Sequence, residues 1–223
     1  MKKSISEAKK LIRDLDEKTI DERAERLAEL EPIELSGIEF ELPVRMGDYI
    51  DEAIKTYIEK CYRSCIFCCS NAVEQAFKKE IIFSEDNAKD RKRVQEEIDN
   101  RMTFGKIIKK AEKHDFLSDF ISDADWLKEL RNKVAVHPIY ISHGNIGVEP
   151  LEIEEWRKKL IKEDIETLLP FLDKENQKQM RDVLENPKAL DDIFEWGLPE
   201  DIIRILALKA YKKMKRILEG IYH

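Results

Sequence analysis

Apolar residues recur along most of this chain at spacings of three and four, the repeat that lines one side of an α-helix. Residues 4–30 read as one or two charged amphipathic helices, with Ser4-x-x-Glu7 and Thr19-x-x-Glu22 arranged as N-terminal capping boxes. Between residues 32 and 42 the period changes. Ile33 and Leu35, then Ile38, Phe40 and Leu42, alternate with acids around Ser36-Gly37. That alternation predicts a short β-hairpin or extended arm, ended by Pro43 and Gly47. From Asp48 one helix is predicted to run to about Phe83, because Ile54, Ile58, Cys61, Cys65, Cys68, Ala72 and Ala76 form a single seam. Its cysteines and alanines are small, so a neighbouring backbone can approach closely.

Residues 84–101 are strongly charged with few apolar anchors and read as a connection or an exposed helix. Thr103 is predicted to cap a helix carrying Ile107, Ile108 and Ala111. Ser122 or Asp123 is predicted to cap the next, which carries Trp126, Leu127, Leu130 and Val134 and ends or distorts before Pro138. Gly144 and Gly147 mark a loop, and further helices are predicted over about 151–169, 173–185, 188–196 and 199–220, punctuated by Pro170, Pro187 and Pro199. The predicted fold class is all-α: a helical bundle with additional N- and C-terminal helices. Its predicted divisions are an arm and hairpin over 1–47, a bundle core over 48–149 and C-terminal helices over 150–223 packed on the same domain.

Composition narrows this further. A chain of 223 residues is long enough to bury a substantial core, and 7 glycines and 7 prolines are too few for an all-β protein. A formal net charge of −7 argues against a protein that coats nucleic acid through a broad basic surface, but not against one that grips a few phosphates locally. Two basic runs, Lys106/Lys109/Lys110/Lys113 and Lys209/Lys212/Lys213/Lys215/Arg216, read as solvated helix faces. No apolar run approaches the length of a membrane span and no leader pattern opens the chain, so the expected location is cytoplasmic, with no membrane partner. The four cysteines, Cys61, Cys65, Cys68 and Cys69, lie too close together to staple distant parts of a fold. Cys65-x-x-Cys68 falls mid-helix rather than at a helix N-terminus and has no histidine near it, so these cysteines read as small core residues. No metal or cofactor is expected.

The candidate chemistry lies in Leu130-Arg131-Asn132-Lys133-Val134-Ala135-Val136-His137-Pro138. Arginine presents a planar fork to phosphate oxygens, and histidine moves a proton near neutral pH. At about 100° per residue, Leu127, Leu130 and Val134 make a buried stripe that Arg131 and His137 border on opposite sides, about 120° apart. In one regular helix the two would not touch. Two such helices meeting about a two-fold axis would bring each Arg131 toward the other's His137, which makes a homodimer the natural way to complete a site. A structural role, with Arg131 paired to a carboxylate and His137 at a helix end, stands beside this reading.

Arg131-Asn132-(x)4-His137 resembles the R-x(4–6)-H signature of the HEPN superfamily, the higher eukaryote and prokaryote nucleotide-binding domains. Ser64 to Lys78, containing Asn71-Ala72-Val73-Glu74-Gln75-Ala76-Phe77-Lys78, is similar to the long small-residue-rich helix of that family, and Thr103-Phe104-Gly105-Lys106-Ile107-Ile108 adds to the likeness. The resemblance covers about residues 49–140. It implies an up-and-down bundle that dimerises with two motifs in one cleft. It also implies a metal-independent endoribonuclease, serving as a toxin or defence factor with a separate antitoxin chain. In that reading His137 is the general acid or base, Arg131 stabilises phosphoryl charge, Asn132 orients, and Glu74 is a supporting acid. The alternative within the same family is a non-catalytic module that binds RNA, a nucleotide or a protein partner.

Overall fold

The computed structural model describes residues 5–35, 44–136, 162, 165, 166, 168–186, 188 and 200–222. Among these residues every regular element is a helix and no strand occurs, in keeping with the all-α class. In chain order they are α1 (Ile5–Ala28), α2 (Val44–Ile58), α3 (Tyr62–Phe83), α4 (Ala88–Arg101), α5 (Phe104–Ala111) and α6 (Ile121–Leu130), which passes directly into a π-helical turn over Arg131–Val136. After these come α7 (Lys174–Glu185) and α8 (Glu200–Tyr222). Short 3₁₀ turns occupy Asp115–Phe120 and Leu169–Phe171.

The centre of the bundle is α3. Cys65, Cys69, Ala72, Val73, Ala76 and Phe77 are fully buried, and apolar positions occur nearly all round the helix, the pattern of one enclosed by others. Its small residues let α2 lie against one side and α8 along another, while α5, α6 and the π-turn close the rest. The facing surface of α8 repeats at helical spacing through Leu206, Ala207, Ala210, Tyr211, Met214, Ile217 and Leu218. Each large apolar side chain buried here contributes roughly 1.5–3 kcal/mol relative to exposure.

The single helix expected from Asp48 to Phe83 is two helices. α2 starts earlier, at Val44, and stops at Ile58. Lys60 adopts a left-handed backbone (φ 63°). The Lys60 amide then donates to the Tyr57 carbonyl at 3.1 Å and the Cys61 amide to the Thr56 carbonyl at 2.7 Å. Those two bonds are a Schellman termination, which reverses the chain so that α3 packs back on α2. A glycine usually marks such a stop. Here lysine fills the position, so the apolar repeat runs through without a visible break. Cys61, counted into the seam, is instead exposed at the start of α3.

Other expectations shift in detail. α1 is one helix, not two. Residues 88–101 are a true helix, whose start is held by the Asn87 side chain accepting from the Lys89 and Asp90 amides. Residues 31–35 form neither helix nor strand, and the remainder of the expected hairpin, 36–42, lies outside the described residues. α6 begins at Ile121 behind the 3₁₀ turn, so neither Ser122 nor Asp123 caps it. Asp123 is buried and binds Lys213 and Arg216 of α8, the latter at 3.0 Å. The basic run of α8 is therefore largely a ridge of ties between elements, since Lys215 also reaches Glu31 at 3.4 Å.

A second knot joins α1, α2 and α8. Tyr57 donates to Glu29 at 2.5 Å, Arg204 pairs with the same carboxylate, and the buried Arg26 donates from Nε to the Ile58 carbonyl at 2.6 Å. Burial, with the Glu29 carboxylate beside it, holds the Tyr57 phenol protonated well above its ordinary range. Trp126, partly buried, packs edge-on against Phe171 at 5.4 Å.

Candidate functional site

Arg131 is the first residue of the π-turn, where the hydrogen-bond ladder widens from four residues to five. Isolated π-turns are costly and concentrate at functional sites. The wider turn also alters the helical wheel. Positions spaced at about 100° per residue hold through Leu130 but not through the turn that follows it. Leu127, Leu130 and Val134 are buried as the stripe required.

The Arg131 side chain crosses to α3. Its Nη1 donates to Asn71 Oδ1 at 3.2 Å and to Glu74 Oε2 at 3.1 Å. Its guanidinium carbon lies 5.4 Å from the centre of the Phe104 ring on α5, within cation–π range. The other oxygen of Glu74 pairs with Lys78 Nζ at 2.8 Å. One carboxylate thus bridges two cations across two elements. Both Arg131 and Glu74 side chains are 15% exposed, so Coulombic terms are screened less than at the surface while one edge of the cluster still meets solvent. Arg131 Nε is buried and has no hydrogen-bond partner among the described residues.

The helical register explains this convergence. Asn71, Glu74 and Lys78 follow spacings of three and four and share one face of α3, and the π-turn packs on that face. Phe104 is the first residue of α5 and fully inside the core, so it forms a fixed floor beneath the guanidinium. Glu74 is therefore a largely buried ion-pair member. Asn71 and Phe104 were not singled out as site residues from sequence. Asn71 had a signal, a polar side chain among the small buried positions of α3. Phe104 had none beyond its place in the Thr103–Ile108 segment.

Asn132 is half-buried in the π-turn beside Arg131. His137, and with it the acid–base role and any approach of a second copy, lies outside the described residues. Among the described residues, no group of three or more histidine, cysteine or acidic side chains is placed to hold a metal ion. Cys65, Cys68 and Cys69 are buried, with Cys65 and Cys69 sulfurs 3.9 Å apart. Burial pushes the Cys68 thiol up to about 11 and the Cys69 thiol well up also, so all the driving force is toward the neutral, unreactive form. That agrees with the core reading of these residues. No helix of the described residues is long and apolar enough to cross a membrane.

No protein-family model, curated protein or solved structure matches this chain.

Proposed function

We propose that this protein is a HEPN-like, metal-independent endoribonuclease whose site is completed in a homodimer. The observation that carries the reading is the Arg131 cluster. Three separate segments carry the resemblance: the Arg131 motif, the Asn71–Lys78 part of α3 and the Thr103–Ile108 start of α5. All three meet at this guanidinium through Asn71, Glu74 and Phe104. The π-turn at the motif supports the same reading, because a strained turn is retained where its geometry is used. In this proposal Glu74 and Asn71 fix the guanidinium so that its remaining edge meets phosphoryl oxygens, where it offsets charge developing in the transition state. His137 moves the proton of the ribose hydroxyl or the leaving oxygen, and Asn132 orients the substrate. The partners proposed are a second copy of the chain, RNA and a separate antitoxin chain.

One observation favours a second reading, a non-catalytic HEPN-like module that binds RNA, a nucleotide or a protein. Glu74, shared with Lys78, already pairs with the Arg131 charge that catalysis would use.

The two separate in one experiment. Purified protein is incubated with single-stranded and structured RNA in EDTA, alongside His137→Ala and Arg131→Ala, with the mass in solution measured by light scattering. The enzyme reading expects EDTA-resistant cleavage that both substitutions reduce by about 10²-fold or more. It also expects a dimer. RNA left intact but bound would establish the module instead, and a monomer at working concentration would remove the composite site.

A further inference from the structure

Beside the Arg131 cluster, α5 and α6 leave an open groove of about 750 Å³ between them. Its walls carry Lys106, Lys109 and Lys128, the hydroxyls of Ser118 and Ser122, and Gly105. The carboxylates of Glu112 and Asp125 also line it. Lys128 is occupied by Asp125 at 2.5 Å and by Glu129 at 3.0 Å, which removes Asp125 as an opposing charge. Lys106 and Lys109 are exposed and have no ion-pair partner among the described residues. They stand three positions apart and so project from the same side of α5. The next lysine, Lys110, points elsewhere and binds Glu97 at 3.1 Å.

The position of the groove gives this pattern a direction. Gly105 and Lys128 meet across it, a Cβ at Gly105 lying 3.5 Å from the Lys128 side chain. Gly105 adjoins Phe104, the floor of Arg131, and Lys128 precedes Arg131 by three residues on the same helix. The groove is therefore lined by sequence neighbours of the residues that hold the guanidinium. We infer that it holds the sugar–phosphate backbone of a single-stranded RNA, with Lys106 and Lys109 each meeting a phosphate and the Ser122 hydroxyl donating to a phosphate or ribose oxygen, while Ser118, whose hydroxyl already donates to the Asp115 carbonyl at 2.6 Å, can accept from a ribose hydroxyl. This rests on the proposed function for the choice of RNA as the strand. The two unpartnered lysines outweigh the one groove carboxylate without an ion-pair partner among the described residues, Glu112, and so suit an anion. Against a net charge of −7, a local cluster of cations is what could seat such a ligand.

The test is binding of a fluorescein-labelled 12-nucleotide single-stranded RNA, read by anisotropy across a salt series. It compares wild type, Lys106→Glu/Lys109→Glu, and Lys92→Glu/Lys212→Glu. The last pair reverses the same amount of charge on exposed positions of α4 and α8. The groove variant is expected to lose affinity roughly tenfold or more, and its slope of log affinity against log salt to shrink by about 1.4, while the control keeps the wild-type slope. Melting temperatures confirm that both variants fold, since all four side chains are exposed. Equal losses in the two variants, or no RNA binding by wild type, overturn the inference. Groove-dependent binding of an acidic peptide in place of RNA overturns it in favour of a protein partner. Groove-dependent RNA binding without cleavage leaves the inference standing and removes only the nuclease reading.

Discussion

Arg131 and Glu74 show how one partly buried ion pair ties local structure to proposed chemistry. Removing the guanidinium leaves Glu74 with Lys78 alone and vacates the Phe104 ring face. Arg131→Ala is therefore expected to cost about 1–3 kcal/mol in chemical denaturation. A double-mutant cycle with Glu74→Gln separates pairing from packing, because a positive coupling energy isolates the pair itself. Loss of stability and loss of RNA cleavage in Arg131→Ala then have separate readouts. The cysteines give a second expectation at this scale. Under native conditions near neutral pH a thiol reagent should modify Cys61, exposed ahead of α3, and leave Cys65, Cys68 and Cys69 until the protein unfolds. More than one fast-reacting thiol would show that the α3 seam opens readily. The core role of Cys65, Cys68 and Cys69 was legible from helical spacing, but the mid-helix premise was not right: α3 starts at Tyr62, so these thiols sit in its first two turns, and burial is what keeps them neutral. The sequence did not reveal that Arg131 reaches Asn71, since contacts across sixty residues leave no local periodicity.

Among the elements, helix existence was more legible than helix boundaries. The repeats of α3, α5, α6 and α8 announce themselves through buried residues three and four apart. The α2–α3 break did not, because lysine stands where glycine would have marked it. That substitution carries a strain glycine would relieve. Lys60→Gly is expected to raise the melting temperature despite losing the Lys60–Glu22 pair at 2.9 Å, and Lys60→Val to lower it sharply. A fall with glycine would mean the pair outweighs the left-handed backbone. The close of α8 makes a complementary case. A Cβ on Gly220 would lie 2.2 Å from the tip of the Phe120 ring, so this helix ends against a flat aromatic with no room between them. Gly220→Ala should therefore lose about 1 kcal/mol although alanine favours helices, and Phe120→Leu in the same chain should restore it.

Across the whole molecule, polar ties from α8 join parts of the chain far apart in sequence. Asp123 draws Lys213 and Arg216 inward from α8, while Tyr211 donates to the Glu31 carbonyl at 2.9 Å and Arg204 holds Glu29. This clamp runs between residues up to 180 positions apart, and the sequence showed only a basic run and scattered acids. Its pH behaviour follows from groups held protonated by burial. The Cys68 thiol is pushed up to about 11 and the Tyr211 phenol to about 12, so the folded chain keeps protons that the unfolded chain has released. Their contribution is complete below about pH 9, where both states are protonated, and is lost as pH rises through about 9 to 12. Urea midpoints measured from pH 8 to 11 should fall across that window, and a flat profile would mean these groups titrate alike in both states. The turn at Arg131–Val136 acts on the same scale. A π-turn amounts to one residue more than an α-helix would use, so it is a phase offset written into the chain. Deleting the exposed Lys133 should let the ordinary ladder close, keep or raise the melting temperature, and rotate the residues that directly follow in the turn by about 100° relative to α3. A protein sturdier than the original yet silent toward RNA would show that the extra residue is kept for aim rather than for holding the bundle together.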